Sequence, residues 1–256
     1  MRFRSAAFLP LLIFTTCIPL SAQQPPQRDP QAVAAINNAL AALGGQGAIP
    51  QIRDCVARGS TRVPEGSPLA NGNFIWKNAG EEFRYEYATS SAVEVFSSGH
   101  GRPAIRKADD VARLHGHMAL ANFPPHLPGV VLLKQLTDPK YTLTFLGPGV
   151  LADRQVIRVR TSLDSDIASA AVTPQVWSFD ATNGLPLRVE YRWPDNSNAE
   201  SFVPVVAEFS DLRSVAGVVV PFRIVHHVNN ELIATSSLDS VTFNTGLDSA
   251  EFDLDL

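Results

Sequence analysis

The sequence predicts an α+β protein whose main feature is a large, curved antiparallel sheet. Within residues 187–193, apolar side chains alternate with charged ones, and the same period of two recurs at residues 177–179 and 222–224. Successive side chains of a strand point to opposite faces, so this period indicates half-buried antiparallel strands. The predicted order is one helix, several strands, two short helices and then many strands. This order is typical of a sheet that wraps around its helices.

The first predicted helix covers Gln31 to Leu43. Asp29 can cap its start, Pro30 fits its first turn, and Gly44 can take the left-handed conformation that ends a helix. Its apolar residues share one stripe at helical spacing, namely Val33, Ile36, Leu40 and Leu43. This stripe predicts that the helix packs on the sheet.

From about Ile52 the chain is predicted to be extended. A strand is expected over Val56–Val63, and Asn71-Gly72 opens another that carries Phe74 and Trp76 on one face. Later segments alternate Phe83, Tyr85 and Tyr87 with charged residues, or place β-branched residues between Gly and Asn turns. This enrichment is the expected hairpin signature.

The middle of the chain changes character. Lys107 to Ala119 has a helical composition, and Pro128 to Leu136 predicts a second, apolar helix with proline in its first turn. Gly147-Pro148-Gly149 is predicted to be a turn. Strands are expected to resume at 141–145, 155–161, 175–179, 185–193, 205–213, 218–228 and 232–243, with turns at Asn183-Gly184 and Asn229-Asn230.

The N-terminal stretch is predicted to be a targeting segment. Arg2 and Arg4 precede an uncharged apolar run, and Ser21-Ala22 offers small residues for cleavage, so residues 1–22 indicate a cleavable secretory signal peptide. Lipid attachment at Cys17 is the minor alternative. We expect a flexible linker over 23–28, a single domain over 29–256 and a periplasmic or secreted protein with no transmembrane segment in its mature chain.

Composition narrows the classes of function. The formal net charge is −4 and no dense Lys/Arg cluster occurs, so nucleic acid is not expected as a partner. After cleavage at Ala22 the chain keeps a single cysteine, Cys55, which excludes a disulfide within one molecule. Cys55 is expected to be a small buried side chain in a strand rather than a reactive thiol.

Motifs for chemistry are sparse. Asp109-Asp110 is best explained as the first turn of a helix, and Asp164 and Asp166 as solvated loop residues. His115 and His117 lack a third metal ligand at a recognisable spacing, and His226 and His227 must point to opposite faces of a strand. No nucleophile elbow or phosphate-binding loop is present. The sequence therefore predicts no catalytic residue, no metal site, no cofactor and no enzyme.

Three hairpin motifs resemble one family. They are Phe83-Arg84-Tyr85-Glu86-Tyr87 with Val93-Glu94-Val95, Trp177-Ser178-Phe179-Asp180 with Asn183-Gly184-Leu185-Pro186, and Val215-Ala216-Gly217-Val218 leading to Pro221-Phe222. Together they resemble the LolA-like and LolB-like superfamily of periplasmic lipoprotein carriers, including uncharacterised exported bacterial proteins of that fold. The resemblance implies an incomplete, strongly curved antiparallel β-barrel, a half-barrel, whose helices cover an apolar concave face. In LolA that cavity accepts acyl chains. The arginine with which LolA holds its lid closed has no match in this sequence.

Several strands carry apolar residues on both faces, which predicts either a helix-covered core or a cavity lined for an apolar ligand. The candidate lining residues are Trp76, Phe83, Tyr85, Trp177, Phe179, Tyr191 and Trp193. We expect a non-catalytic carrier or binding protein for a lipid or for lipoprotein acyl chains. The alternative is an envelope sensor or scaffold that binds a protein partner. The third hypothesis is a hydrolase that uses His115, His117 and aspartates.

Overall fold

The computed structural model describes residues 26–114, 126–163, 167–194 and 202–254. Its helices are α1 Pro30–Ala42, α2 Gly45–Ala48, α3 Pro128–Thr137 and α4 Ile167–Val172, with 3-10 turns at Ile49–Gln51 and Ser249–Phe252. Its strands are β1 Asp54–Arg62, β2 Gly72–Ala79, β3 Glu82–Thr89, β4 Val93–Gly99, β5 Arg102–Lys107, β6 Asp110–Arg113, β7 Tyr141–Leu151, β8 Arg154–Leu163, β9 Gln175–Asp180, β10 Pro186–Pro194, β11 Phe202–Val215, β12 Val218–Val228 and β13 Glu231–Phe243.

All these strands form one sheet of thirteen in the order β6-β5-β4-β3-β2-β1-β13-β12-β11-β10-β9-β8-β7. Each neighbouring pair is antiparallel, and β6 and β7 lie at the two ends of the sheet without pairing with each other, so the barrel does not close. The sheet consists of two meanders, β1–β6 and β7–β13, and the pairing of β1 with β13 joins them.

The sheet is strongly curved. Leu143 of β7 and Trp76 of β2 belong to the same buried cluster as Ile36 and Leu40 of α1. In a flat sheet these two strands would be eight strand spacings apart, about 38 Å, whereas a helix of α1's length measures about 20 Å. The strands therefore curl around α1 and α3, and the helix side is the concave face. This confirms the predicted α+β half-barrel.

Local signals place α1 as predicted. The carboxylate of Asp29 accepts a hydrogen bond from the backbone N–H of Gln31 at 2.8 Å, and Pro30 starts the helix. Gly44 follows with a φ of 128°, and a side chain there would collide with the carbonyl of Gly217. Leu43 also accepts a backbone bond from Val219 at 2.8 Å, which ties the end of α1 to the β11–β12 turn.

Residues 27–29, which precede α1, contact the fold. Leu143 donates to the carbonyl of Gln27 and Asp29 donates to the carbonyl of Leu143, both at 2.9 Å. Arg28 donates from its guanidinium to the carbonyl oxygens of Leu136 and Asp138, the latter at 3.0 Å. Residues 27–29 therefore cap the end of α3 and pair with part of edge strand β7.

The helix predicted over Lys107–Ala119 is wrong in its described part. Lys107 ends β5, Asp110 begins β6, and the turn between them places Ala108 at a φ of 51°. Ile105 lies opposite Phe96 on one side and Ala112 on the other, and this pairing outweighs a weak helical composition. Asp109 and Asp110 are exposed at the hairpin tip. Residues 115–119 lie outside the described residues.

The turn predicted at Gly147-Pro148-Gly149 is wrong. These residues form the middle of β7 instead. The register shifts between Phe145 and Gly147, where Gly147 takes a φ of 90°, and Pro148 then lies opposite Ile157. Because β7 is an edge strand, a proline without an N–H is tolerated there. This bulge bends the edge of the sheet.

The C-terminal strap, residues 248–254, crosses the convex face of β2–β5. Phe252 and Leu254 are 1% and 5% exposed, and Leu254 packs with Val95 and Ala104 in a second, small core. Ser97 donates to the carbonyl of Phe252 at 2.5 Å, and Arg84 to that of Glu251 at 3.0 Å. The strap therefore covers the convex-face side chains of β4, such as Val95.

No helix within the described ranges has both the length and the apolar character that a bilayer-spanning helix needs. The proposed signal peptide and Cys17 lie outside the described residues.

Candidate ligand-binding face

The seven candidate aromatic residues lie in two groups on the concave face. Trp76, Phe83 and Tyr85 belong to β2 and β3, and Trp76 pairs directly with Tyr85. The second group lies on β9 and β10 and comprises Trp177, Phe179, Tyr191 and Trp193. The sheet order places β1, β13, β12 and β11 between the two groups, so they do not form one continuous lining.

Two members of the first group, Phe83 and Tyr85, belong to an aromatic surface that we call the wing, formed by Phe74, Phe83, Tyr85, Tyr87 and Phe96, and Trp76 lies beside it. Ring centroids are 5.1 Å apart for Phe83 and Phe96, 5.8 Å for Phe74 and Tyr85, and 6.1 Å for Tyr85 and Tyr87. Tyr85, Tyr87 and Phe96 are half-buried, whereas Phe74 and Phe83 are 3% and 2% exposed. The wing therefore presents partly accessible ring surface along β3 and β4.

Two glycines let these rings lie across the sheet. A Cβ at Gly59 would lie 2.6 Å from the Phe74 ring, and one at Gly72 would lie 2.8 Å from the Tyr87 ring. The Tyr87 hydroxyl also donates to the carbonyl of Ala70 at 2.5 Å. Small residues on one strand thus make room for the aromatic residues of the next.

The second group is mostly core. Trp177 and Phe179 are 0% and 1% exposed, and their rings stack at 6.3 Å. The indole N–H of Trp177 donates to Gln175 at 3.1 Å, and Gln175 also accepts from the side chain of Gln135 on α3 at 2.7 Å. Tyr191 is half-buried beside the same cluster, and Trp193 is 39% exposed. In front of β9 and β10 on the concave face, α1 and α3 occupy the space that a ligand would need.

A histidine that sequence reasoning did not single out lies against the wing. The ring of His126 is 5.4 Å from that of Trp76, 6.4 Å from that of Phe74 and 5.9 Å from that of His226. His226 faces the interior beside Ile224, as the strand pattern predicts, and a register shift follows it in the pairing with β13. These two histidines meet across the concave face.

Burial keeps the groups on this face neutral. Desolvation lowers the pKa of His126 to about 3, with His226 contributing, and lowers that of His226 to about 4, with His227 contributing. Burial also raises the pKa of Tyr85 and of Tyr191 far above the ordinary phenol value, despite a bond from Thr61 in the case of Tyr85. Near pH 7 these buried histidines and tyrosines are therefore uncharged.

Buried polar atoms interrupt the apolar surface. The hydroxyls of Thr61 and Ser236 lie 3.1 Å apart, and both side chains are buried. Within the described part of the chain, Nε1 of Trp76 and Nδ1 of His126 are buried without a hydrogen-bond partner. Buried polar atoms in folded proteins are nearly always paired, so these two stand out.

Among the described residues, no three His, Cys, Asp or Glu side chains cluster closely enough to hold a metal ion. Cys55 is fully buried, and desolvation raises its pKa to about 12, which keeps the thiol protonated and inert. His115 and His117, which the hydrolase hypothesis involves, lie outside the described residues, as do Asp164 and Asp166.

Two pockets of about 340 Å³ each lie away from the trough. The first is lined by Arg53, Asp54 and the 244–247 loop, and the second by convex-face residues such as Arg58 and Lys77. Asp54 holds this loop: it accepts from the backbone N–H groups of Thr245 and Gly246. Burial opposes ionisation of Asp54, but these bonds outweigh it and lower its pKa. Both pockets lie at the loop end and convex side of β1 and β2, so they do not extend the apolar concave face.

The residues that sequence reasoning missed had different signals. Phe74, Tyr87 and Phe96 lie in alternating patterns beside the chosen candidates, and pairing of the strands would have added them. His126 lies between Pro125 and Leu127, outside any periodic segment. Its position against β2 and β12 is a tertiary contact that no local pattern encodes.

A scan against protein-family models finds no match, and a search of curated protein sequences finds none. Solved structures do match. A domain from Vibrio parahaemolyticus named for outer membrane lipoprotein sorting aligns with a TM-score of 0.56 at 14% identity, covering 87% of this chain and 96% of that one.

A DUF1329 family protein from Desulfovibrio piger also aligns with a TM-score of 0.56 at 14% identity, over 86% of this chain and 96% of the other. A LolA superfamily protein from Nitrosomonas europaea gives a TM-score of 0.52 at 11% identity, over 87% and 97%. The chain therefore has the fold of the LolA superfamily, as its hairpin motifs indicate.

Proposed function

We propose that this chain is an exported, non-catalytic envelope protein that binds a lipid or acylated ligand along the wing. The observation that carries the proposal is the half-buried run of Tyr85, Tyr87 and Phe96 on the concave face, opposite the filled half of the trough. Apolar ring surface of this kind contributes binding energy in proportion to the area that a ligand covers. The fold and the buried, uncharged histidines beside the rings support binding of an apolar ligand.

The domain layout belongs to this proposal. Residues 1–22 serve as a cleavable signal peptide, and residues 29–256 form one domain that reaches the periplasm or the exterior. The ligand is held by ring contacts along β3 and β4, so its acyl chain lies against the first meander rather than between α1 and β9–β10.

The test compares two neighbours on one strand. The Tyr85 side chain lies on the concave face as part of the wing, and the Glu86 side chain lies on the convex face. Tyr85→Gln and Glu86→Gln therefore change opposite faces of β3 at neighbouring positions. We expect Tyr85→Gln to weaken binding of the apolar fluorophore N-phenyl-1-naphthylamine about tenfold, since losing a buried ring contact costs about 1.4 kcal/mol or more. Glu86→Gln should bind like the unchanged protein.

Circular dichroism and thermal unfolding establish that both variants remain folded. Native mass spectrometry of the gently purified mature protein should show an additional mass from bound lipid. Ligand-free spectra together with equal fluorophore affinity in both variants would refute the proposal. Recovery of a membrane protein in place of lipid would favour the sensor or scaffold alternative.

A further inference from the structure

We propose that Trp76 and His126 form a hydrogen-bonding subsite for the ester carbonyl oxygen of an acylated ligand. This inference rests on the proposed function and names the part of the ligand that the concave face recognises. It starts from two buried nitrogen atoms, Nε1 of Trp76 and Nδ1 of His126, which have no partner in the described part of the chain.

The two atoms belong to neighbouring rings. The ring centroids of Trp76 and His126 are 5.4 Å apart, and the planes are tilted by 50°. An indole N–H is a donor in every state, and a neutral imidazole nitrogen can donate in one of its tautomers. A carbonyl oxygen has two lone pairs and can therefore accept from both rings.

Leaving these atoms unpaired has a cost. A buried donor without a partner destabilises a folded protein by about 1 to 3 kcal/mol, and two of them occur side by side here. Another tryptophan of the same face does not share this state, because Trp177 donates to Gln175 at 3.1 Å. Unpaired buried side-chain atoms also occur at Gln135, Thr161 and Arg188 among the described residues, but Trp76 and His126 are the two that have neighbouring rings.

The surroundings select an uncharged acceptor. His126 faces Phe74, Trp76 and His226, and its burial keeps the imidazole neutral. A carboxylate placed there would lose its hydration without gaining a cation, which is far more costly than burying an ester. The wing rings begin at Phe74, which stacks on both His126 and Tyr85, so an acyl chain can run from the subsite along the wing.

The experiment measures selectivity on the mature protein. Displacement of N-phenyl-1-naphthylamine gives the affinities of methyl dodecanoate, of tridecane, which has the same number of carbons without the oxygens, and of dodecanoate. We expect the ester to bind about tenfold more tightly than the hydrocarbon, which corresponds to about one net hydrogen bond. The carboxylate should bind less tightly than the ester.

Trp76→Phe and His126→Phe remove a nitrogen donor and keep an aromatic ring at the same position. Each should reduce the preference for the ester over the hydrocarbon to about twofold or less, with hydrocarbon affinity retained. Trp177→Phe is the matched control: it removes an indole N–H that is already paired, so the preference should remain about tenfold. Thermal unfolding checks that all three variants fold.

The outcomes separate the two proposals. If the unchanged protein binds neither the ester nor the hydrocarbon, the proposed function fails. If it binds both and Trp76→Phe leaves the preference unchanged, the subsite is refuted while apolar binding stands, and an internal water is then the partner of the two nitrogens. An equal loss of preference in Trp177→Phe would also overturn the assignment.

Discussion

At the residue scale, the concave face combines large rings with a few buried polar atoms. Trp76 and Trp177 show how the same residue type takes different roles: one indole N–H is paired with Gln175 and belongs to the core, and the other is unpaired beside His126. The two histidines add a group whose charge depends on pH, and their burial makes that charge costly.

Burial of His126 predicts acid sensitivity. A histidine in an unfolded chain titrates near pH 6.5, whereas in the folded protein the pKa of His126 is about 3. Between these values the unfolded state binds more protons, so the free energy of unfolding is highest above pH 6.5 and decreases as the pH falls toward 4. For His126 alone we expect a loss of about 3 kcal/mol over that range.

Urea unfolding at pH 7.0, 5.5 and 4.0 measures this dependence. His126→Phe should lose less stability on acidification than the unchanged protein does, because the variant no longer has this group to protonate. Trp177→Phe changes a buried ring without removing a titratable group, so it provides the control, and its pH dependence should follow the unchanged protein. Equal slopes for His126→Phe and Trp177→Phe would contradict the prediction.

At the element scale, the C-terminal ends of α1 and α3 are held by hydrogen bonds that distant segments donate to backbone carbonyl groups. The end of α1 bonds to the β11–β12 turn, and Arg28 supplies donors to carbonyl groups at the end of α3. The last carbonyl groups of a helix lack partners within it, and a cation there also compensates the helix dipole. Arg28 therefore attaches α3 to the segment that precedes α1.

Arg28→Ala should lower the free energy of unfolding by about 1 to 2 kcal/mol, because carbonyl groups at the end of α3 lose charged donors. Arg28→Lys should recover part of this loss, since it keeps the charge without the forked geometry. Chemical denaturation measures both variants. A loss of less than 0.5 kcal/mol in Arg28→Ala, about what a surface change gives, would contradict this role.

Sequence patterns were sufficient where a segment is periodic. The strands of the second meander, α1 and α3 follow from alternation, caps and proline positions, and the resulting fold is confirmed. Sequence patterns were insufficient where pairing between strands decides the structure. At Lys107–Arg113 the composition predicts a helix, but the residues form a β-hairpin. The C-terminal strap and His126 depend on contacts between residues far apart in the chain, and no local signal marks them.

At the scale of the whole molecule, each meander has its own cover. Helices α1 and α3 fill the concave face in front of β7–β13, and the C-terminal strap closes the convex face behind β2–β5. The strap contacts the sheet through side chains of Lys77, Arg84 and Ser97 rather than through strand pairing. The attachment of the strap to the sheet therefore depends strongly on the burial of Phe252.

Phe252→Ala should lower the free energy of unfolding by about 3 kcal/mol, because the ring is 1% exposed and its removal leaves a cavity. Amide exchange in β4 and β5 should accelerate, since these strands lose their cover. Asp253→Ala is the control and should change stability by less than about 0.5 kcal/mol, as its contact with Arg102 is an exposed ion pair. If both variants behave alike in hydrogen exchange, the strap does not stabilise these strands.

The pairing of β1 with β13 also has a consequence for folding of the chain. Cys55 pairs with Phe243, so strands that are roughly 190 positions apart must meet before the sheet is whole. A premature stop codon ahead of Glu231 would not yield a smaller working version of the protein. It would leave β1 and β12 as two bare edges on separate sheet fragments, and such edges template association between molecules.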